Sequence, residues 1–262
     1  MKSILFNKKA IIIVTILFVL VIAFSLFLNS NPGIEEYETL PSIEEYNEIY
    51  ADVIERNRTM LKNPIEYGDE YCSGYISTKD DIELHKTILN KLQMLSDNIC
   101  SNTENDYEKI KAIAYYVAEN IYYNHVAAHD SVTAEIISLE YVLDTKTATC
   151  AGYSNLFSAL CNMQDIYCVN LRGGTNLKDH TTSEFLLNAP LNHEWNAVLI
   201  DGEWYFIDTT WISNNKYTEN GYEKTNFFDD KYFYMSLEEM SYEHRIDIID
   251  YRNFKTSINA FE

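Results

Sequence analysis

The stretch His193-Glu-Trp-Asn-Ala-Val-Leu-Ile-Asp-Gly-Glu-Trp-Tyr-Phe-Ile-Asp208 decides how the rest of this chain is read. Its centre, Asp201-Gly202, is a strong signal for a two-residue β-turn. The flanks, 196–200 and 203–207, are rich in β-branched and aromatic residues, which suit strands. With 201 and 202 as the turn, Ile200 opposes Glu203, Trp195 opposes Asp208 and His193 opposes Thr210. Opposed residues share a face and side chains alternate along a strand, so His193, Trp195, Asp208 and Thr210 project from one face. His193 and Asp208 become diagonal neighbours with Cα atoms about 7–8 Å apart, within reach of an Asp–His contact. A slip of one residue would put them on opposite faces.

Upstream, Thr149-Cys-Ala-Gly-Tyr153 opens a stretch with Tyr153, Leu156, Phe157, Leu160 and Met163 at helical spacing. Thr147 or Thr149 is placed to cap that helix, with Cys150 in its first turn. The free N–H groups and the dipole at a helix start favour a thiolate and can donate to a developing oxyanion. Gly152 permits a close approach by another backbone or a substrate. A thiol, an imidazole and a carboxylate in the order Cys150, His193, Asp208 are the parts of a nucleophile, its general base and the group that orients the base.

A helix-borne cysteine followed by His and Asp on adjacent antiparallel strands resembles the transglutaminase-like superfamily, which is related to the papain-like cysteine proteases. The matching words are Cys150-Ala-Gly-Tyr, His193-Glu-Trp-Asn and Trp204-Tyr-Phe-Ile-Asp-Thr-Thr-Trp211. The upstream segment 106–123 and the late segment 231–244 also look like the family, so the likeness covers about residues 104–245. The resemblance implies an α+β fold, a papain-like core with N-terminal helices packed against an antiparallel sheet. It implies Cys150 as nucleophile, His193 as base and Asp208 as orienter. Members often complete the oxyanion hole with an upstream side chain; Tyr141 and Tyr153 are candidates. Trp195 and Asn196, like Tyr153, are candidates for substrate binding or the oxyanion hole.

The expected chemistry is acyl transfer through a thioester on a protein or wall-peptide amide. Water as second substrate makes a peptidase or amidase, and an amine makes a cross-linking transglutaminase. The alternative is a membrane-anchored binding module with an idle triad. No calcium-loop signature is present and no cofactor or metal is implied. His193-Glu194 is not a zinc-protease motif, because position 197 is Ala where a second His is needed. His125, His129 and Asp130 offer too few ligands of matching geometry to imply a metal.

The ends of the chain suggest where this chemistry takes place. Ala10 to Leu28 is uncharged and long enough to span hydrocarbon at 1.5 Å rise per residue. Lys2, Lys8 and Lys9 precede it, which favours a signal anchor with its N-terminus in the cytoplasm and the domain outside. Residues 1–9 are then a basic tail, 10–28 the transmembrane anchor, 29–41 an acidic linker, 42–103 a helical region and 104–262 the transglutaminase-like domain. The net charge is −20, and the first 28 residues carry three lysines and no acid, so the remainder carries −23. Such a surface argues against nucleic acid and anionic headgroups and mildly favours a neutral or basic substrate. If Cys150 stays free, Cys72, Cys100, Cys161 and Cys168 allow up to two disulfides, although Cys161 reads better as a buried small hydrophobe.

Periodicity and caps predict helices over about 42–62, opened by a Ser42–Glu45 capping box, 80–99, 106–123 and 133–143. Strands follow at about 166–172, 193–200 and 203–209, with weaker ones near 183–187 and 227–235. Helices first and an antiparallel sheet afterwards indicate α+β.

Overall fold

A computed structural model describes residues 43–67, 79–130, 132–179 and 182–254. The segments expected as anchor (10–28) and linker (29–41), the Ser42–Glu45 cap and Cys72 lie outside the described side chains. No helix among the described residues is long and apolar enough to cross a membrane.

Asp201 and Gly202 both have positive φ, 52° and 85°, the conformation a type I′ turn requires. That turn sets the register Ile200↔Glu203 through Asn196↔Ile207 between β5 (His193–Ile200) and β6 (Glu203–Ile207). The elements before them are α1 (Ile43–Met60), β1 (Ile65–Tyr67), α2 (Lys79–Ile99), α3 (Asp106–Asn120), β2 (Tyr122–Asn124), α4 (His125–Asp130) and α5 (Leu139–Thr145). Next come β3 (Thr147–Ala148), α6 (Cys150–Met163), β4 (Cys168–Thr175) and α7 (Ser183–Asn188). After β6 follow α8 (Thr209–Ile212), β7 (Lys216–Thr218), β8 (Gly221–Glu223), α9 (Leu237–Ser241) and β9 (His244–Arg252). The main sheet has the order β1-β9-β4-β5-β6, antiparallel except for β1 beside β9. A second sheet of short strands has the order β3-β2-β7-β8. The class is α+β.

α6 is the centre of the molecule. Every residue from Gly152 to Met163 is buried, so this helix is covered all round rather than on one stripe. Leu156, Phe157 and Leu160 join Ile110, Ile113, Ala114 and Val117 of α3 and Leu92 of α2 in one apolar cluster. α3 shows the i, i+3, i+4, i+7 spacing that fits one packed face. Its start is set by Asn105, whose side chain accepts from the Glu108 N–H at 2.9 Å. It stops before the expected residue 123 because Tyr122 turns to pair with Thr147 and donates its N–H to Lys146 O.

Several sequence expectations are corrected. Residues 183–188 form α7 rather than a strand, because the Thr182 side chain caps a turn and Leu186 is buried beside Val53 and Leu177. Residues 227–235 hold a 3-10 turn over Asp230–Tyr232 capped by Asp229, and Met235 alone bridges to Phe206. The helix expected over 133–143 begins at Leu139, where Ser138 caps it. β9 is not expected from the sequence, because its acids and bases break the apolar alternation; in the fold His244 meets Asp208, Arg245 meets Asp247, and Arg252 meets Glu194 and Asp250. Thr210 belongs to α8, not to a strand opposite His193. No disulfide joins Cys100, Cys150, Cys161 and Cys168.

The ladder between β4 and β9 shifts register between Arg172 and Gly173. A Cβ at Gly173 would lie 1.7 Å from Arg245 O and 3.0 Å from the Trp195 ring. Gly173→Ala should therefore destabilise the protein by about 2 kcal/mol or more in urea unfolding. Gly202→Ala, with open space around it, should cost about 1 kcal/mol for its positive φ alone. Equal effects of the two would contradict the close approach at Gly173.

Candidate active site

Thr149 occupies the N-cap position of α6 in extended backbone, yet its side chain makes no cap hydrogen bond. The first N–H groups of the helix thus lack a side-chain acceptor at the point where half-buried Cys150 projects. Two bonds fix this helix to β5. Ser154 Oγ donates to Trp195 O at 3.1 Å, and Asn196 Nδ2 donates to Ser154 O at 3.1 Å. Asn196 is fully buried, so it holds helix and strand together rather than meeting a substrate.

The β5–β6 ladder ends at Asn196↔Ile207, one pair short of Trp195 and Asp208. Asp208 instead caps α8: its Oδ1 accepts from the Trp211 N–H at 3.1 Å, and its own N–H donates to Tyr232 O. Its Oδ2 lies 2.7 Å from His193 Nε2. The carboxylate accepts, so Nε2 carries the proton and Nδ1 is the ring nitrogen left to face Cys150, which acts on the same imidazole and favours its charged form. The structure thus brings Cys150, His193 and Asp208 together. Trp211 and Trp195 lie nearly parallel to the His193 ring, at 5.1 and 6.0 Å between centroids.

Burial by itself disfavours a charged His193, but the Asp208 charge and hydrogen bond outweigh it and push its pKa up to about 10. Burial likewise disfavours the Asp208 carboxylate, and the two histidines beside it hold its pKa well below the usual range. The second is His244, fully buried, with Nε2 3.1 Å from Asp208 Oδ2. In the sequence His244 stands out only as the end of the family-like segment 231–244. One ring nitrogen of each histidine and an Asp208 oxygen lie within 4.8 Å of one another. Two N–H donors on one carboxylate oxygen satisfy that arrangement.

The other expected site residues fall elsewhere. Tyr153 is buried and its hydroxyl donates to Ile121 O at 2.7 Å, which removes it from oxyanion stabilisation. The Tyr141 hydroxyl faces Asn124 and Thr147. Trp195 is 1% exposed and walls the core under His193 rather than a substrate channel. Tyr123, which the sequence reading overlooks, stands closer to the chemistry. Burial raises its pKa first, and the charges of Cys150 and Asp208 raise it further. It lines a cleft of about 220 Å³ with His125, His193, Trp211, Asn214 and Lys216. No carboxylate lines this cleft. A larger groove, about 560 Å³, lies at the β5–β6 turn and contains none of the three residues.

Behind β5, on the face opposite His193, a buried polar cluster supports the helix. Asn170 Nδ2 donates to Asn155 Oδ1 and Glu194 Oε1, each at 3.0 Å, and Arg252 bonds Asn155, Glu194 and Asp250. Burial raises the Glu194 pKa, and Arg252 opposes that rise.

Residues 93–209, which include Cys150, His193 and Asp208, match the family model of the transglutaminase-like superfamily. The chain is similar to the kyphoscoliosis peptidase of Mus musculus, 27% identical over 127 residues, which is 48% of this chain and 19% of that protein. It is similar also to the LIM and transglutaminase domain protein ltd-1 of Caenorhabditis elegans, 25% identical over 185 residues, 65% of this chain and 25% of that one. The matched regions thus span a quarter or less of these relatives. The crystal structure of a TGase aligns with a TM-score of 0.41 at 20% identity, covering 71% of this chain and 43% of that chain.

The Asp208 bond makes a direct prediction. In an NMR titration the His193 imidazole should stay protonated through neutral pH and lose its proton near 10. Asp208→Asn should lower it markedly, since burial is then opposed only by the smaller contribution of Cys150. A His193 that titrates near 6.5 in the unaltered protein would contradict the coupling.

Proposed function

We propose that the transglutaminase-like segment 93–209 carries a thiol acyl-transfer centre. The observation that supports it most is the 2.7 Å contact of His193 Nε2 with Asp208 Oδ2, with Cys150 acting on the same imidazole from the start of α6 and His193 lining the cleft beside Tyr123 and Trp211. The Cys150 thiolate attacks an amide carbonyl, and the carbonyl π electrons move to oxygen. The N-terminal N–H groups of α6 stabilise that oxyanion. The oxyanion collapses, the C–N bond breaks, and the His193 imidazolium gives its proton to the departing amine. A thioester on Cys150 remains. Water, deprotonated by neutral His193, attacks the thioester and releases a carboxylic acid and the thiol. Asp208 keeps the His193 ring in one tautomer throughout. Hydrolysis is the favoured outcome because water needs no second-substrate site, which makes the protein a peptidase or amidase on protein or wall-peptide amides. An amine in place of water would make it a cross-linking enzyme.

The uncharged run 10–28 after Lys8 and Lys9 supports an anchored enzyme with its domain outside the cytoplasm. Cleavage of the domain by protease added to intact protoplasts is the expected result, and full protection would sink the topology.

Alkylation of Cys150 tests the chemistry. Iodoacetamide should modify it rapidly at pH 6–7, where an ordinary thiol of pKa about 8.5 is mostly protonated. His193→Ala should slow the reaction markedly and Asp208→Ala less. If Cys150 reacts no faster than free cysteine and His193→Ala changes nothing, the idle-triad binding module becomes the better reading.

A further inference from the structure

We infer that His244 is a positioning residue of this centre, a second hydrogen-bond donor that holds the Asp208 carboxylate in the one orientation from which it can orient His193. The inference rests on the acyl-transfer reading above and deepens it. Asp208 is 0% exposed, so no water replaces a missing donor. Oδ1 is tied to the Trp211 N–H, and Oδ2 is shared between His193 and His244. Were His193 the sole donor on Oδ2, each proton transfer through its ring would loosen the carboxylate that must hold it. His244 supplies a donor that takes no part in the transfer.

The position of His244 suits that task. It opens β9, where Thr175 of β4 is its register partner. Its ring is boxed by Trp195 at 4.7 Å, Trp211 at 4.6 Å and Tyr232 at 6.5 Å between centroids. Its Nδ1 is buried and unpartnered. A ring that bears one proton, on Nε2, and meets aromatic walls elsewhere is a neutral donor. The charged and titratable groups around it are Asp208, His193 and Glu243, with the Tyr232 phenol beyond. Glu243 is itself bound to Lys178 and Lys231. Burial lowers the His244 pKa, which keeps the ring neutral at the pH where the thiolate works.

The test uses the full-length protein and reads iodoacetamide alkylation of Cys150 by mass spectrometry at pH 6 and pH 9. At pH 9 an ordinary thiol is already ionised, so the ratio of the two rates isolates activation by His193 from general loss of structure. In the unaltered protein the rate at pH 6 should approach that at pH 9. His244→Phe keeps the ring volume and removes the donor; the ratio should fall about tenfold, in line with loss of orientation at a reacting group. His244→Gln, whose amide can reach the place of Nε2, should restore most of it. His244→Asn, too short to reach Asp208, should behave as Phe does and replaces it if the Phe protein fails to fold. A ratio unchanged in His244→Phe, or lowered equally by Gln and Phe, overturns the positioning role while leaving the acyl-transfer reading intact. A low ratio in the unaltered protein overturns that reading itself, and this inference with it.

Discussion

The hydrogen bond between His193 Nε2 and Asp208 Oδ2, 2.7 Å long and closed to water on the Asp208 side, is the constraint on which the site depends. A carboxylate taken out of water is expensive unless it is paired and fully hydrogen-bonded. Asp208 meets that condition with three donors: the Trp211 N–H, His193 and His244. Each donor comes from a different element, so the charge of one residue requires α8, β5 and β9 to meet at one point. Hydrogen bonds to a charged group are worth about 1.5–3 kcal/mol each, more than the typical neutral bond. This corner of the sheet therefore has little freedom to shift.

The second requirement is that Cys150 arrive at the same point from the other side. α6 is held by apolar packing along its whole length, but packing alone tolerates small slides. The bonds of Ser154 and Asn196 to the β5 neighbourhood remove that freedom, as does the buried Asn155–Asn170–Glu194–Arg252 cluster. Breaking one partner of such a cluster leaves an uncompensated buried charge, which costs more than the intact cluster contributes. The polar residues at 154, 155, 170, 194 and 196 thus locate the helix relative to the strand. The charge balance near the cleft departs from that of the whole molecule: the chain carries −20, yet the titratable side chains lining the cleft are Tyr123, His125, His193 and Lys216, with no carboxylate among them.

The sequence by itself determined the hairpin register, since Asp201-Gly202 accepts the positive φ of a tight turn and alternation does the rest. It determined the central helix and α3, whose apolar spacing has no competing strand pattern, and it singled out Cys150, His193 and Asp208 by residue type and order. Other features follow only from tertiary structure. The segment 183–188 became helical because Leu186 found a buried neighbourhood, and β9 formed because its acids and bases met partners inside. His244, Tyr123 and the inward turn of Tyr153 are products of packing between segments far apart in the chain. Local pattern reports the period of an element and the conformations its residues allow. Which side chains from distant elements share one carboxylate or one cleft is decided when the whole core closes, because only then are burial and hydrogen-bond partners defined.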